Sequence, residues 1–534
     1  MIPPLDPAHS PRENLLVIAP PGCGKTELLA RRAAHLLPVL EPHQRILALT
    51  FSNRAKANLA ERLLTGLGPQ RFRRIKVTNF HGHAAELIRA HGPTIGLDPH
   101  CPLANKSTLS QAIEPYISGL PFAAAAQSKR QIELALAAAK SQPHDDDEVL
   151  KVLAEIGNQA ALEIELERRQ QGVLHYDDLL RHAQRLLGIK KIAYLYQQHF
   201  SAILVDEFQD LSPQQLQIAL ASTARHRTFV GDPLQGIYSW AGARPAEVEA
   251  HLLEICGEPH YLNTSYRSSP AVLAVVNRAS SLLGGQPLQA ADPAAWPSGG
   301  QALYATFDTG LQEAQWILDE ATRLLEADPS TTIGVIIRAA WRRRPIDEVF
   351  ANAKIPTQRW DLPIEDDLIV QHLLDAIQRL PRQADMATIT QTVLESIDPT
   401  DVDTREQALH ALHEFSTLVK HDGTPRAAAA QLRPPATERA ISPGVHILNA
   451  HTGKGQQFDW VFIPGIEGFH IPSGQAKTPA ERQEELRVAL VMLSRARHGL
   501  AATRALTLIA NSGNPYSTKP SQWWAAITSA CHPA

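Results

Sequence analysis

The stretch "APPGCGKT", Ala19 to Thr26, places two glycines, a lysine and a hydroxyl residue between the apolar run "LLVI" and a segment with helical periodicity. Gly22 and Gly24 let backbone N–H groups approach an anion, and the N-terminus of the following helix adds its positive end. Ala19, Pro20, Pro21 and Cys23 fill the remaining loop positions, with Ala19 where a phosphate cradle usually begins on glycine. In such a cradle Lys25 reaches the β- and γ-phosphates and Thr26 holds Mg²⁺. A second stretch, "AILVDEFQDLSPQQ", is an apolar strand ending in Asp206 and Glu207. Adjacent carboxylates at the carboxyl end of a parallel strand can deliver one group to a metal ion and the other to an attacking water. The two stretches together predict ATP and Mg²⁺ as ligands.

A third stretch, "GDPLQGIYSWAGA", follows a β-like run, Thr228 to Val230, and carries Gln235, Tyr238 and Trp240 on one short loop. Taken alone, aromatics in a strand-to-helix loop are more often core than base-stacking, so these residue types by themselves assign the loop no ligand. "HGH", residues 81 to 83, has metal-ligand residue types but no nearby partners, and is read as structural. "HTGKGQQF" contains a second Gly-Lys pair, but its glycine spacing and downstream sequence do not fit a second phosphate cradle.

These loops need strands to present them. Strand-like runs fall in two groups: 15–19, 46–50, 202–205 and 228–230, then 332–337, 445–448 and 460–463. Long Ala-, Leu-, Gln- and Glu-rich stretches separate 50 from 202 and 337 from 445, reading as helical insertions into two α/β domains with mostly parallel sheets. The segments 282–301 and 421–444, rich in Pro, Gly and Ala, read as surface connections.

The chain has 534 residues, enough for about three or four domains. Its 44% apolar and 20% charged residues are ordinary for a globular protein, and no apolar run is long enough to span a bilayer. "MIPPLDPAHSPREN" lacks the regions of a signal peptide, and the four cysteines are far apart, so a reduced cytoplasmic setting without membrane attachment is expected. The net charge of −4 gives no global signature of a nucleic-acid binder, although a groove can be locally basic. "HDDDE" at 144–148 and "RRR" at 342–344 are expected to be solvated surface.

The ordered series "APPGCGKT", "LALTFSNRAKANLAERL", "VTNFHGHAAELIR", "YDDLL", "LVDEFQDLSPQQ", "VGDPLQGIYSWAGA", "LNTSYRSSPAV", "NAHTGKGQQFDWVFIPG" and "EELRVALVMLSRA" resembles the UvrD/Rep/PcrA-like group of superfamily 1 DNA helicases. The resemblance implies two RecA-like motor domains, ATP hydrolysis between them, and movement along single-stranded DNA with 3′-to-5′ polarity. It implies that Gln209 and Gln235 sense the γ-phosphate, that Arg267 and Arg495 come to it from the second motor, and that Tyr266 stacks on adenine. It places Phe51, Asn53, His81, Tyr238, Trp240 and His451 on the DNA.

The expected division is 1–86 with 190–255 for the first motor, 87–189 for its helical insertion, 256–365 with 440–534 for the second motor, and 366–439 for a reduced accessory insertion. Two departures from the family pattern stand out. No "LN-x-x-Q" element precedes the cradle, which puts adenine selection in question, and Gln457 replaces a glutamate expected at the ribose or domain-coupling contact. The small accessory insertion resembles that of the helicase subunit of the Gabija anti-phage system. That implies, as an alternative, a nucleotide- or DNA-sensing ATPase working with a nuclease partner and unwinding little alone.

Overall fold

The computed structural model describes residues 6–534 apart from 103–105, 240–241, 352, 361–366, 382–383, 398–404, 406–407, 410, 413–414, 417–418, 420–423, 431–440 and 511–512. Its first sheet contains β1 (Asn14–Ile18), β2 (Arg45–Thr50), β3 (Ile75–Asn79), β4 (Phe200–Asp206), β5 (Arg227–Gly231) and β6 (His260–Tyr261), in the order β3-β2-β4-β5-β1-β6 and parallel throughout. Strands buried on both faces must be apolar along their whole length, which is why "LLVI" and "AILV" read as continuous runs. Alternate residues of β1 serve opposite faces: Leu15 and Val17 pack with Leu28 and Leu29, while Leu16 and Ile18 pack with Leu47, Phe80 and Phe208. Each such side chain, fully removed from water, contributes about 1.5–3 kcal/mol.

The pairing register lines up the strand ends that matter. Ile18 lies beside Gly231, and Asp206 beside Val230. The loops leaving β1, β4 and β5 therefore emerge side by side at the carboxyl end of the sheet, where ligands bind in open α/β folds. β6 extends the first sheet beyond the expected boundary at 255, and Leu262 still donates its N–H to the Ile18 carbonyl at 2.9 Å. Two polar residues, His260 and Tyr261, give no strand signal, so this edge was not visible in the sequence.

A small two-stranded ladder, β7 (Thr264–Ser265) with β8 (Gln289–Ala290), leads into the second sheet. That sheet comprises β9 (Gln301–Thr309), β10 (Thr332–Ile337), β11 (Thr357–Arg359), β12 (Gly444–Asn449), β13 (Phe458–Ile463), β14 (Ala496–Ile509), β15 (Pro515–Ser517) and β16 (His532–Pro533). Its order is β11-β12-β10-β13-β14-β9-β16, with β15 antiparallel on β14. β14 and β9 were not expected as strands. "ARHGLAATRALTLI" and "QALYATFDT" mix Ala, Thr and charge instead of presenting an apolar run, and they are held by their long mutual ladder. The chain is thus α/β with two RecA-like parallel-sheet motor units.

Between β3 and β4 lie helices including Phe122–Lys140, Asp146–Ile156, Gln159–Gln171 and Tyr176–Gly188. Ile132, Leu136, Val149, Leu153 and Ile164 give part of this insertion a core of its own. Between β11 and β12, helices Asp367–Arg379 and Met386–Glu395 pack around Leu373, Ile389 and Phe415. Much of the soft stretch 421–444 lies outside the described residues.

Both charge runs expected on the surface are partly buried instead. In "HDDDE", Asp145 caps its helix through the Glu148 N–H, and Asp146 pairs with Arg168 at 3.1 Å and Arg181 at 2.8 Å. Those arginines belong to a buried network in which Lys140 bridges Glu165 at 2.8 Å and Asp178, from "YDDLL", at 3.0 Å. Charges arranged in opposite pairs can be buried, but a sequence does not show which partner will arrive.

Arg342, first of "RRR", is 1% exposed and pairs with Glu313 and with Glu467. Glu313 also accepts from Thr503 Oγ1 at 2.6 Å and the Gly465 N–H at 3.2 Å, and Glu467 accepts from the Ala505 N–H at 3.0 Å. Arg342 thus ties the helices Gly310–Ala327 and Ala340–Phe350 to the ends of β13 and β14. Arg342→Met should leave two buried carboxylates without their cation and destabilise the second motor by about 3–5 kcal/mol. Denaturant unfolding checks this against Arg344→Ala, an exposed neighbour expected to change stability by less than about 0.5 kcal/mol.

Candidate nucleotide and DNA site

The loop after β1 is built as a cradle. Ala19 continues the parallel ladder by donating its N–H to the Gly231 carbonyl at 2.7 Å, and Cys23 closes the turn onto the Pro20 carbonyl at 3.2 Å. Gly22 and Gly24 have φ of 79° and 80°, the left-handed region where a side chain is strained. A Cβ on Gly22 would also lie 2.6 Å from both Arg267 Cβ and Ser265 Oγ. The bare backbone is therefore what lets the segment after β7 close over the cradle, and the Tyr266 N–H donates to the Gly22 carbonyl at 2.9 Å. The helix Lys25–Leu36 starts directly behind, with Lys25 and Thr26 in its first turn. Cys23 is buried and its thiol is pushed up to about 12 by burial, so it is an unreactive packing group.

Lys25 Nζ lies 3.2 Å from Glu207 Oε1. Burial acts against the charge on Lys25, but Glu207, Asp232 and Asp206 outweigh it and the ammonium is stabilised. Glu207 has φ of 54°, rare for a residue with a side chain, and its N–H donates to Asp206 Oδ1 at 3.0 Å. Backbone strain of this kind persists where surrounding contacts over-determine it. From Glu207 a continuous set of hydrogen bonds crosses the molecule. Gln209 Nε2 donates to Glu207 Oε2 at 2.6 Å, and the Asp232 N–H donates to Gln209 Oε1 at 2.9 Å. Gln235 Nε2 donates to Asp232 Oδ2 at 2.9 Å, and Arg495 Nη2 donates to Gln235 Oε1 at 3.2 Å. Arg267 Nη1 donates to the Ser494 carbonyl at 3.3 Å, beside Arg495.

Residues from β1, β4, β5, the segment after β7 and the turn before β14 thus meet at one place. Arg495 is buried and Arg267 half-buried, and desolvation disfavours the charge on each, with Arg267 adding to the effect on Arg495. Asp206 is raised to about 7 by burial and by Glu207. One buried and one half-buried arginine short of an anion, and a buried carboxyl short of a cation, fit a triphosphate carrying a divalent metal. Among the described residues no group of three or more His, Cys, Asp and Glu side chains could hold a metal by itself. Mg²⁺ bound through one carboxylate, a hydroxyl, phosphate oxygens and water needs no such group, so Thr26 and Asp206 would suffice as its protein ligands.

The aromatic positions form two groups. Phe51 stacks on Tyr238 with centroids 5.4 Å apart and planes at 16°, and His451 lies 6.4 Å from Tyr238 on the other motor. His81 instead stacks on Tyr176 of the insertion at 3.8 Å and 21°. Asn53 opens the helix Asn53–Phe72, but its side chain lies outside the described residues, as does Trp240. His83 is a core residue bonded to Ser222 Oγ at 3.0 Å. Tyr266 is 73% exposed beside the cradle, an open face suited to stacking. Gln457 is exposed; it is Gln456 that is buried, with its carbonyl accepting from Arg495 at 3.4 Å.

The sequence named no role for Asp210 or Asp232, and Lys454 only as part of "HTGKGQQF", which the resemblance implies is the motif linking nucleotide and DNA in the second motor. Asp232 orders the Gln235 loop by accepting from the Leu234 N–H at 3.1 Å as well as from Gln235. Lys454 Nζ donates to Asp210 Oδ1 and Oδ2 at 2.7 and 2.6 Å. All three sit inside motifs already singled out. What the motifs withheld was that Lys454, from the second sheet, faces the first.

Gly22→Ala, strained at its backbone and clashing with Arg267 and Ser265, should weaken binding of a non-hydrolysable ATP analogue by about 10- to 100-fold, checked by calorimetry. Affinity equal to the parent chain's would mean that the cradle does not close on the nucleotide.

Comparison with known proteins bears on this arrangement directly. Residues 4–251 match the UvrD/REP helicase N-terminal domain, and residues 385–506 match the UvrD-like helicase C-terminal domain. The ATP-dependent DNA helicase PcrA of Leuconostoc citreum is 29% identical over 64% of this chain and 47% of its own length. DNA helicase II of Escherichia coli is 26% identical over 65% of this chain and 49% of its own. The ATP-dependent DNA helicase UvrD2 of Mycobacterium tuberculosis is 26% identical over 96% of this chain and 79% of its own. The chain spans about half the length of the first two relatives. With both motor segments matched, and with cradle, paired carboxylates and two arginines gathered between the sheets, the chain belongs to the UvrD-like helicase family.

Proposed function

We propose that this chain hydrolyses ATP between its two motors and uses the cycle to move along single-stranded DNA, 3′ to 5′, separating duplex ahead of it. The observation that supports this best is the hydrogen-bonded path Lys25–Glu207–Gln209–Asp232–Gln235–Arg495, which joins the cradle to the opposite motor. The named relatives are ATP-dependent DNA helicases in two of the three cases cited and a DNA helicase in the third.

When bound, the Mg²⁺-triphosphate supplies an electrophilic phosphorus with part of its charge neutralised. The chain's own groups do the rest. Glu207, whose pKa Lys25 and Lys454 lower to about 2 against its partial desolvation, orients the water and accepts its proton. Gln209 fixes the Glu207 carboxylate, and Gln235, held between Asp232 and Arg495, would sense the γ-phosphate. Arg267 and Arg495 bring positive charge from the far side, a contribution worth about 10³–10⁵ in rate for a well-placed arginine. Tyr266 offers its ring to the base. Phe51, Tyr238 and His451 carry the DNA together with Asn53 and Trp240, and His81 contacts it from its separate place against the insertion. Stacking serves a motor that must pass every sequence, because each base has a flat face and contributes about 1–3 kcal/mol.

Among the described residues no helix is long and apolar enough to cross a membrane. The reading in which the chain is an anti-phage ATPase dependent on a nuclease partner shares the same site and differs in what the isolated chain does. ATP turnover and strand separation on 3′-tailed, 5′-tailed and blunt DNA distinguish them. The proposal expects DNA-stimulated hydrolysis, unwinding of the 3′-tailed duplex, and loss of both in Lys25→Ala. Hydrolysis without unwinding would favour the partner-dependent reading, and DNA-stimulated hydrolysis surviving in Lys25→Ala would contradict the site assignment.

A further inference from the structure

Because the first sheet is parallel throughout, the amino ends of its strands share one edge, opposite the edge that carries the cradle. Part of that edge is densely cationic. Arg71, Arg73 and Arg74 lie in "QRFRRIK" just before and into β3, His43 and Arg45 at the start of β2, and His199 just before β4. These three strands are consecutive in the sheet, with Arg45 in register with Phe200, and Arg45 Nη2 donates to the Arg73 carbonyl at 2.8 Å. With neighbouring strands about 4.8 Å apart, the three strand starts fit within roughly 10 Å.

The arginines divide into two kinds. Arg74 is half-buried and spent on structure: it donates to the carbonyls of Leu37, Leu40, Glu41 and Gln44, closing the turn after the cradle helix. Arg45, Arg71 and Arg73 are exposed and, among the described residues, form no ion pair, while the nearby carboxylate of Glu86 is taken by Lys76. The cations act on one another instead. Lys76 is lowered to about 8 by burial and by Arg45, and His199 is lowered by burial, with Arg45, Lys76 and His43 adding to it.

The chain as a whole carries a net charge of −4, so this edge is a local excess of the opposite sign. Of the large apolar side chains between 37 and 46 and between 65 and 77, only Val39 is exposed. A docked protein would need an apolar centre to its interface. Duplex DNA needs none, since it keeps its bases inside and offers one charge per about 1.7 Å of its axis, and guanidinium forks match phosphate oxygens. We propose that the amino edge of the first sheet, through Arg45, Arg71 and Arg73, is a second DNA-contacting surface that holds the phosphate backbone of a duplex. Arg45 opens β2 and Phe51 follows its end, which puts this surface about 20 Å from the aromatic groups that carry the tracked strand. The surface rests on DNA being the polymer on which the motor acts, and gives that motor an anchor indifferent to sequence.

The test uses the full chain with a fluorescent blunt duplex and with short oligo-dT, titrated over a range of salt. Arg45→Gln and Arg73→Gln should each weaken duplex binding by roughly threefold or more, and the slope of log affinity against log salt should shrink by about 0.9 for each arginine removed. Adding Arg71→Gln to both should extend the loss. Oligo-dT affinity should stay within about twofold, because the separation exceeds the roughly 8–10 Å over which salt screens charge. Arg323→Gln, which removes the same charge from an exposed arginine of the second motor, should alter neither.

A parent chain that does not bind the blunt duplex, or a triple variant with unchanged duplex affinity and salt slope, would overturn the proposal. So would an equal loss on oligo-dT and duplex, since the arginines would then belong to the single-strand path. If fluorescent poly-glutamate binds the parent more tightly than the duplex and loses its hold in the triple variant, the edge docks an acidic protein segment and the DNA assignment fails. ATP turnover on oligo-dT separates this proposal from the function above. A parent chain without DNA-stimulated hydrolysis sinks the motor reading, whereas stimulated hydrolysis alongside a duplex affinity unmoved by the substitutions sinks the edge alone.

Discussion

Everything at the proposed catalytic centre hangs on the carboxylate of Glu207, whose oxygens are divided between Lys25 at 3.2 Å and Gln209 at 2.6 Å. Partial burial works against the charge on this half-exposed carboxylate, and the two nearby ammonium groups, Lys25 and Lys454, hold its pKa down. The first belongs to the cradle and the second to the opposite motor. The charge state of one side chain thus depends on both halves of the molecule being in place. The strained backbone at Glu207 is tolerated because β4 on one side and the Phe208–Asp210 turn on the other leave it no alternative.

Sheet topology makes that arrangement possible. With β1 between β5 and β6, and β4 next to β5, three loops far apart in sequence leave the sheet as neighbours. The second sheet contributes through Arg495 at the entrance to β14 and Lys454 beyond the end of β12, while Arg267 reaches in from the segment after β7. Arg342, paired with Glu313 and Glu467, fastens the helices Gly310–Ala327 and Ala340–Phe350 to the segment after β13. The helical insertion of the first motor is fastened in a similar way by Lys140, Arg168 and Arg181 facing Glu165, Asp178 and Asp146.

Much of this was legible from residue types and order. Buried parallel strands announce themselves as apolar runs, so the strand before the cradle and the one before Asp206 could be read directly. β14 could not, because Ala, Thr and Arg are mixed along it and it is its pairing with β13 and β9 that makes it a strand. The solvated reading of "RRR" failed at Arg342 because burial of a charge is decided by partners distant in sequence, Glu313 and Glu467, that no local pattern reveals. Lys454 escaped for a related reason. Its motif was recognised, but the acceptors at Asp210 and Gln235 lie on the other motor. Gln457 drew attention as a departure from the family pattern, whereas the neighbouring Gln456 is the one that touches Arg495.

The central claim is that one nucleotide site is completed by two motors. It is tested most directly by single-turnover ATP hydrolysis on single-stranded DNA in Arg495→Ala, with affinity for a non-hydrolysable analogue measured alongside. The account predicts a loss of hydrolysis of about 10³-fold or more, with nucleotide affinity much less affected. Hydrolysis at the parent rate would show that the first motor acts without the second, and would contradict the account.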